Sequence, residues 1–149
     1  MGRHMWGKTA GALALAVAAV SGYSSSSGEN DAKPAAEQSK AVSVQTATTS
    51  FQAAVTKFDT DGGCAEQEPG TCWEQMQALM TPARTLRKAM NTERSVGPEF
   101  WTDAYALINT MEKGIAVGED KGTAFGTNRP DVLGSAHDLA KWLDAHPLA

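Results

Sequence analysis

The stretch VQTATTSFQAAVTKF, residues 44–58, shows most plainly how this chain folds. Its larger apolar side chains recur at steps of three and four residues, at Val44, Ala47, Phe51, Val55 and Phe58. This spacing puts them on one face of an α-helix. Because a helix with one apolar face is stable mainly when another element covers that face, the stretch predicts a protein built from packed helices.

Three later segments show the same periodicity. The second helix is predicted to begin near Thr71, whose hydroxyl forms a capping-box pattern with Glu74. The third begins at Pro98, and the fourth begins at Thr127 or Asn128. In the fourth, the residues predicted to face inward are Leu133, Ala136, Leu139, Ala140, Trp142 and Leu143.

The predicted fold is all-α, because no segment alternates apolar and polar residues as a half-buried strand does. Four amphipathic helices bury their apolar faces most simply as a small antiparallel bundle, here spanning residues 40–149. Pro82 interrupts the second helix and predicts a kink or a break there. A break would make the number of helices five.

Cys64 and Cys72 are the two cysteines of the chain. In an exported protein two cysteines are expected to form a disulfide. A closed loop of about nine residues contributes roughly 2–3 kcal/mol to stability by the chain-entropy estimate. The sequence therefore predicts a short covalent staple between the first and second helices.

The first 22 residues have the order of an export signal. Arg3 and Lys8 precede an apolar run from Ala10 to Val20. That run is shorter than the roughly 20 residues that a membrane-spanning helix needs, so residues 1–22 are predicted to be a signal peptide. Residues 23–39 are polar and poor in large apolar groups, which predicts a disordered tether.

The end of this signal, Val20-Ser21-Gly22 followed by Tyr23, resembles the lipobox of bacterial lipoproteins, in which the fourth residue is a lipid-carrying cysteine. The resemblance implies a protein that is secreted or held at the outer face of a bacterial membrane. In such lipoproteins the lipid is joined to the cysteine sulfur by a thioether. A tyrosine cannot form this bond, so a lipid anchor requires cysteine at position 23. A cysteine replaced on purpose, a natural variant cut by ordinary signal peptidase, and a secreted protein whose signal only looks like a lipobox all fit the sequence.

Charge and motifs narrow the class of function. The chain has 13 basic and 17 acidic residues, and loss of Arg3 and Lys8 with the signal makes it more acidic. An acidic domain repels phosphate backbones, so no nucleic-acid partner is expected. The sequence has neither a nucleophile elbow nor a phosphate-binding glycine motif. We therefore expect no catalysis and no cofactor.

Three aromatic residues are candidates for contact with another molecule. Phe100 and Trp101 are adjacent at the start of the third helix, and Phe125 lies in the glycine-rich connection that follows it. Adjacent residues cannot both lie at the centre of one buried helix face. An exposed Phe100 or Phe125 would supply an apolar contact for a protein or a small ligand. The alternative for Phe125 is that it folds back and closes the end of the bundle.

Two functions remain as hypotheses. The first is a domain that binds another component of the cell envelope, as a sensor accessory, an inhibitor or an assembly factor, reaching its partner on the flexible tether. The alternative is a carrier of copper, haem or another small ligand. Its ligating residues would be Met76, Met80, Met111 and His137.

Overall fold

The computed structural model describes residues 41–148. The predicted signal peptide, the tether and the lipobox-like residues Val20, Ser21, Gly22 and Tyr23 lie outside this range. Within it all regular structure is helical, which confirms the all-α prediction. The α-helices are α1 (Val44–Thr60), α2 (Trp73–Thr92), α3 (Thr102–Ile115) and α4 (Asn128–Ala145), and a 3₁₀ turn (Pro98–Trp101) precedes α3.

The helices pack around one main apolar core. The most extensive contacts join α1 to α2 and α3 to α4, and further contacts join α2 to α3 and α1 to α4. Each helix contributes fully buried side chains, among them Phe51, Leu86, Ile108 and Leu139. In residues 41–148 no helix has both the length and the apolar character that crossing a bilayer requires.

The start of α2 differs from the prediction. The helix begins at Trp73, and its first cap position is Cys72 with no side-chain capping bond. The hydroxyl of Thr71 instead donates to the carbonyl of Glu68 at 2.8 Å and accepts from Arg129 at 3.0 Å. The capping-box prediction is therefore wrong, because partners elsewhere in the fold use this hydroxyl.

Pro82 does not break α2, which runs without interruption from Trp73 to Thr92. Proline lacks an N–H, so the carbonyl of Ala78, one turn earlier, loses its donor within the helix. Ala78 lies at the exposed surface, where water can bind that carbonyl. Residues 41–148 consequently form four α-helices, and the five-helix alternative does not hold.

The buried face of α4 is turned relative to the predicted one. Ala136, Leu139 and Leu143 are buried as expected, but Leu133, Ala140 and Trp142 are only half-buried. The positions that the prediction omitted are Asn128, Arg129, Val132 and Ser135. A glycine on α3 explains why a different face of α4 is buried. A Cβ built on Gly114 would overlap the side chain of Val132. The absence of that Cβ lets α3 approach α4 closely along this line.

Candidate functional site

The predicted disulfide is present and begins the description of the site. Cys64 and Cys72 are bonded, with their Cα atoms 5.7 Å apart. The bond closes residues 64–72, called here the disulfide loop, between α1 and α2. Cys72 is fully buried and packs with Met76 and Val132 in a small second core. The disulfide therefore fixes both ends of a polar connection against α4.

A buried ion pair, called here the clamp, lies beside the disulfide loop. Arg129 Nε donates to Asp120 Oδ1 at 2.8 Å, and Arg129 Nη2 donates to Asp120 Oδ2 at 2.5 Å. The two side chains are 2% and 0% exposed. A paired guanidinium and carboxylate with two parallel hydrogen bonds is the arrangement that makes burial of both charges tolerable.

The clamp holds the disulfide loop through its backbone. Arg129 also donates to the carbonyls of Glu66, at 2.5 Å, and Glu68, at 2.6 Å. Asp120 Oδ2 accepts from the backbone N–H of Cys72 at 2.9 Å. The buried polar atoms of the clamp thus satisfy backbone groups that a loop cannot pair within itself.

The pKa values of the clamp follow from these contacts. Hydrogen bonding to Arg129 holds the pKa of Asp120 far below its ordinary range, and it outweighs burial, which acts in the opposite direction. The same hydrogen bond raises the pKa of Arg129 above its already high ordinary value. The pair is fully ionised at neutral pH.

The clamp also holds the second connection, residues 121–127, called here the Phe125 loop. The N–H of Gly122 donates to Asp120 Oδ1 at 2.9 Å. At the other end of the loop, the Thr127 hydroxyl lies 2.7 Å from the carbonyls of both Gly122 and Ala124. The loop is therefore closed on itself and tied to the buried ion pair.

Asn128 joins the end of α3 to the start of α4 just beyond this loop. Its Nδ2 donates to the carbonyls of Gly114, at 2.8 Å, and Glu119, at 2.7 Å. Its Oδ1 accepts from the N–H of Lys121 at 3.0 Å. Buried polar side chains consequently hold the connection between α3 and α4 at Glu119, Lys121 and Gly122.

Phe125 projects from this fixed loop into solvent. Its relative exposure is 107%, so the ring is as accessible as in an extended chain. Two other large apolar residues of the described range are classed as exposed, Val42 at 45% and Val117 at 47%. Phe125 is thus the most exposed large apolar side chain in residues 41–148.

The other two predicted contact residues, Phe100 and Trp101, belong to the 3₁₀ turn and pack against the last turn of α4, at the opposite end of that helix from Phe125. Trp101 is 2% exposed and belongs to the main core. Phe100 is half-buried and packs edge-on against Trp101 and Trp142, with ring centres 4.7 and 5.6 Å away. The structure therefore does not bring Phe100 and Trp101 together with Phe125, which precedes the first residue of α4.

The aromatic cluster at that far end also borders a cleft. Trp142 stacks on His146 with ring centres 4.2 Å apart. The cleft, about 250 Å³ in volume, is lined by residues of α1, by the end of α4 with the residues that follow it, and by Trp101 of the 3₁₀ turn. Within the described residues, Trp101 Nε1 is buried without a hydrogen-bond partner.

The residues of the metal-carrier hypothesis are dispersed. Met76 lies in the small core under the disulfide, whereas Met80 and Met111 lie in the main core. His137 lies partly exposed on α4, with Nδ1 2.8 Å from the carbonyl of Leu133 and Nε2 2.8 Å from Asp59 Oδ1. Residues 41–148 contain no group of three or more His, Cys, Asp or Glu side chains placed to hold a metal ion. The carrier function stays a prediction.

Sequence reasoning missed Asp120 and Arg129, although both lie in or beside the glycine-rich connection. Charged residues are usually assigned to the surface, and nothing in a spacing of nine positions reveals that two of them pair inside. The one available hint was that an irregular connection next to a disulfide needs donors and acceptors for its own backbone.

The chain was compared with protein families, with curated proteins and with solved structures, and none of them matches it.

Proposed function

We propose that this protein is a non-catalytic, exported, lipoprotein-like helical domain that binds another component of the cell envelope through the Phe125 loop. The observation that supports this most is a fully exposed phenylalanine on a connection that buried charges hold in place. Its role would be that of a sensor accessory, an inhibitor or an assembly factor. The partner would be an envelope or extracellular protein, and no nucleic acid or cofactor would be needed.

Phe125 is suited to binding because of where its backbone is held. A large apolar ring in water gains free energy when a partner buries it. Fixing a mobile loop costs conformational entropy on binding, and here the clamp and Thr127 have already fixed the loop. Aromatic side chains on such supports are the usual anchors of protein interfaces.

Export is supported by the disulfide, since such bonds persist outside the cytoplasm. The proposed location is outside the cell or at the outer face of the membrane, and the predicted signal peptide and tether are the sequence features that support it. Direct membrane attachment would require a cysteine at position 23. The proposed arrangement of the helices is the antiparallel bundle, which is in keeping with the contacts of α1 with α2 and of α3 with α4.

The test is recovery of the protein from the envelope of its own cells under mild crosslinking, comparing wild type with Phe125→Ala. Loss of an aromatic anchor costs about 2 kcal/mol, which is roughly thirtyfold in affinity, so the partner should disappear from the variant. Val42→Ala is the matched control, because Val42 is exposed but lies before α1.

Both variants should keep the helical circular dichroism spectrum and the unfolding midpoint of the wild type, because both side chains are exposed. The proposal fails if no protein is enriched over an unrelated exported control. It also fails if Phe125→Ala recovers the same partner in the same amount as wild type.

A further inference from the structure

The disulfide loop and the Phe125 loop form one continuous surface. A Cβ built on Gly122 would lie 2.9 Å from the carbonyl oxygen of Gln67 and 3.4 Å from the ring of Pro69. The N–H of Gly70 donates to the carbonyl of Asp120 at 2.9 Å. Residues 65–71 and 121–127 are therefore in direct contact, and they are called here the joint surface.

The joint surface contains two exposed glutamates besides the exposed Phe125 ring. Glu66 and Glu68 are exposed residues of the disulfide loop, and neither carboxylate has an ion-pair partner among residues 41–148. Arg129 donates to the carbonyls of these residues, and its ion pair is with the Asp120 carboxylate. The Glu68 charge also helps to raise the pKa of Arg129, without forming an ion pair with it. Lys121, the one basic residue of the joint surface, pairs with Glu119. Two carboxylates thus remain to set the sign of this surface.

Building on the function proposed above, we infer that the joint surface binds a protein whose apolar pocket receives the Phe125 ring and whose pocket rim contains lysine or arginine side chains. The apolar contact would supply most of the affinity. The carboxylates of Glu66 and Glu68 would select the basic rim and speed the encounter. An exposed phenylalanine could also bind a second copy of this chain or insert into a lipid bilayer, and the inferred partner differs in chemistry from both.

Charge argues against those two surfaces. A second copy of this chain, joined through the same surface about a two-fold axis, would place the acidic loops against each other. A bilayer with anionic headgroups would repel the same carboxylates as the ring inserted. Binding to a second copy and insertion into lipid are therefore outcomes that the test must separate from the inferred one.

The experiment uses the full chain with a photoreactive benzophenone amino acid in place of Phe125, which keeps an aromatic group at the contact. The protein is irradiated with isolated envelopes of its own cells at about 50 mM and about 500 mM NaCl, since salt screens rim charges. The crosslinked product is digested, and the attached peptide is identified by mass spectrometry.

Two charge variants, each also containing the photoreactive group, are compared. Glu66→Gln/Glu68→Gln removes both carboxylates of the joint surface and should lower the yield of product at low salt about fivefold. Asp103→Asn/Asp138→Asn removes two exposed carboxylates on α3 and α4 and should change it less than about twofold.

Support requires three results together. High salt lowers the yield for wild-type charge, the Glu66→Gln/Glu68→Gln protein shows a much weaker salt dependence, and the attached peptide contains apolar residues next to lysine or arginine. A product whose yield responds neither to salt nor to Glu66→Gln/Glu68→Gln overturns the inferred partner chemistry and leaves envelope binding standing. A product with lipid or with a second copy of the chain also overturns it. Absence of any product contradicts envelope binding itself.

Discussion

The two ends of α4 are stabilised by different physics. At its first turn, Arg129 and Asp120 form a buried ion pair that holds two loops through their backbones. At its last turn, Trp142 and His146 stack on each other beside Phe100 and Trp101, and the contacts are between rings. Buried charges dominate the first end and aromatic packing dominates the second, where the side-chain hydrogen bonds, Gln52 to Asp144 and His146 to the Trp142 carbonyl, are exposed.

The difference follows from the kind of backbone at each end. A loop that packs against a domain brings N–H and C=O groups that helices cannot pair, and a guanidinium with five donors is able to bind several carbonyls at once. A helix end that meets other helices has fewer such groups, and bulky rings fill the space. Substitutions at the loop end should therefore destabilise the protein by leaving a buried charge unpaired. Substitutions at the aromatic end should destabilise it by creating cavities.

The largest expected effect is that of Arg129→Met, which leaves Asp120 buried and unpaired. Removal of one partner of a buried pair costs roughly 3–5 kcal/mol. Urea unfolding followed by circular dichroism measures it. The same substitution at Arg87, which pairs with Glu112 at 2.7 Å where both side chains are partly exposed, should cost about 1 kcal/mol or less. Equal losses in the two variants would contradict the contrast drawn here.

Trp101→Ala should follow at about 3 kcal/mol. The loss of a buried indole leaves a cavity, and removal of the unpartnered Nε1–H recovers part of that loss. Trp101→Phe keeps most of the packing without the unpartnered donor and should cost about 1 kcal/mol or less. Hydrogen exchange should show loosening near Phe100 and Trp142, with the amides of Cys72 and Gly122 still protected. Loss of protection at those two amides would show that the ends are not independent.

Replacement of both cysteines, Cys64→Ala with Cys72→Ala, should cost about 2–3 kcal/mol because the unfolded chain regains the freedom of a closed loop, and alanine adds no polar group at the buried position 72. Faster exchange should appear at Gly70 and Gly122, at the loop end. Arg129 should still pair with Asp120, so the α3–α4 connection should remain folded in water. If the variant is as stable as wild type in the same urea titration, the disulfide does not contribute to the stability of the loop end.

The smallest effect is expected at His137, which joins α1 to α4 between the two ends. Partial burial lowers its pKa, but hydrogen bonds to Asp59 and to the Leu133 carbonyl outweigh burial and raise it overall, with Lys141 opposing them weakly. Both acceptors need a ring N–H, so the charged imidazole fits best.

A raised pKa in the folded state means that the stabilisation by His137 is complete below about pH 6.5 and is lost as the pH rises through the folded-state value. The loss should be about 1 kcal/mol or less, because the pair is partly exposed. Urea midpoints measured from pH 6 to pH 9 should fall in wild type and change less in His137→Gln. If the urea midpoints of the two proteins fall in parallel with pH, the His137–Asp59 pair is not the cause of the pH dependence.

The helices were predictable because apolar periodicity is a local property. The stripe of α1 is buried as predicted from Val44 to Val55, whereas Phe58 at its end is half-buried. Pro82 was harder to interpret, since whether a helix tolerates proline depends on the exposure of a carbonyl one turn earlier. The turned face of α4 depends on Gly114, whose missing side chain matters only when the partner helix is known.

The site was predictable only in its exposed part. Phe125 was a candidate because an aromatic residue among glycines has no helix face to occupy, but the sequence left open whether it is exposed or folds back over the end of the bundle. Thr71 was misassigned, since its hydroxyl bonds to Glu68 and Arg129, and the latter is far away in sequence. Pairings of this kind depend on which loops meet, and this is decided by the packing of all four helices.

The sulfur bridge between α1 and α2 has a consequence for the order of folding. Its cysteines are eight positions apart, and a chain segment of this size closes in well under a microsecond, so their encounter requires nothing from α3 or α4. In an oxidising compartment the ring can therefore be completed in a chain whose α3 and α4 are still unfolded. The carbonyls of Glu66 and Glu68 would then already be confined within a closed ring before Arg129 binds them.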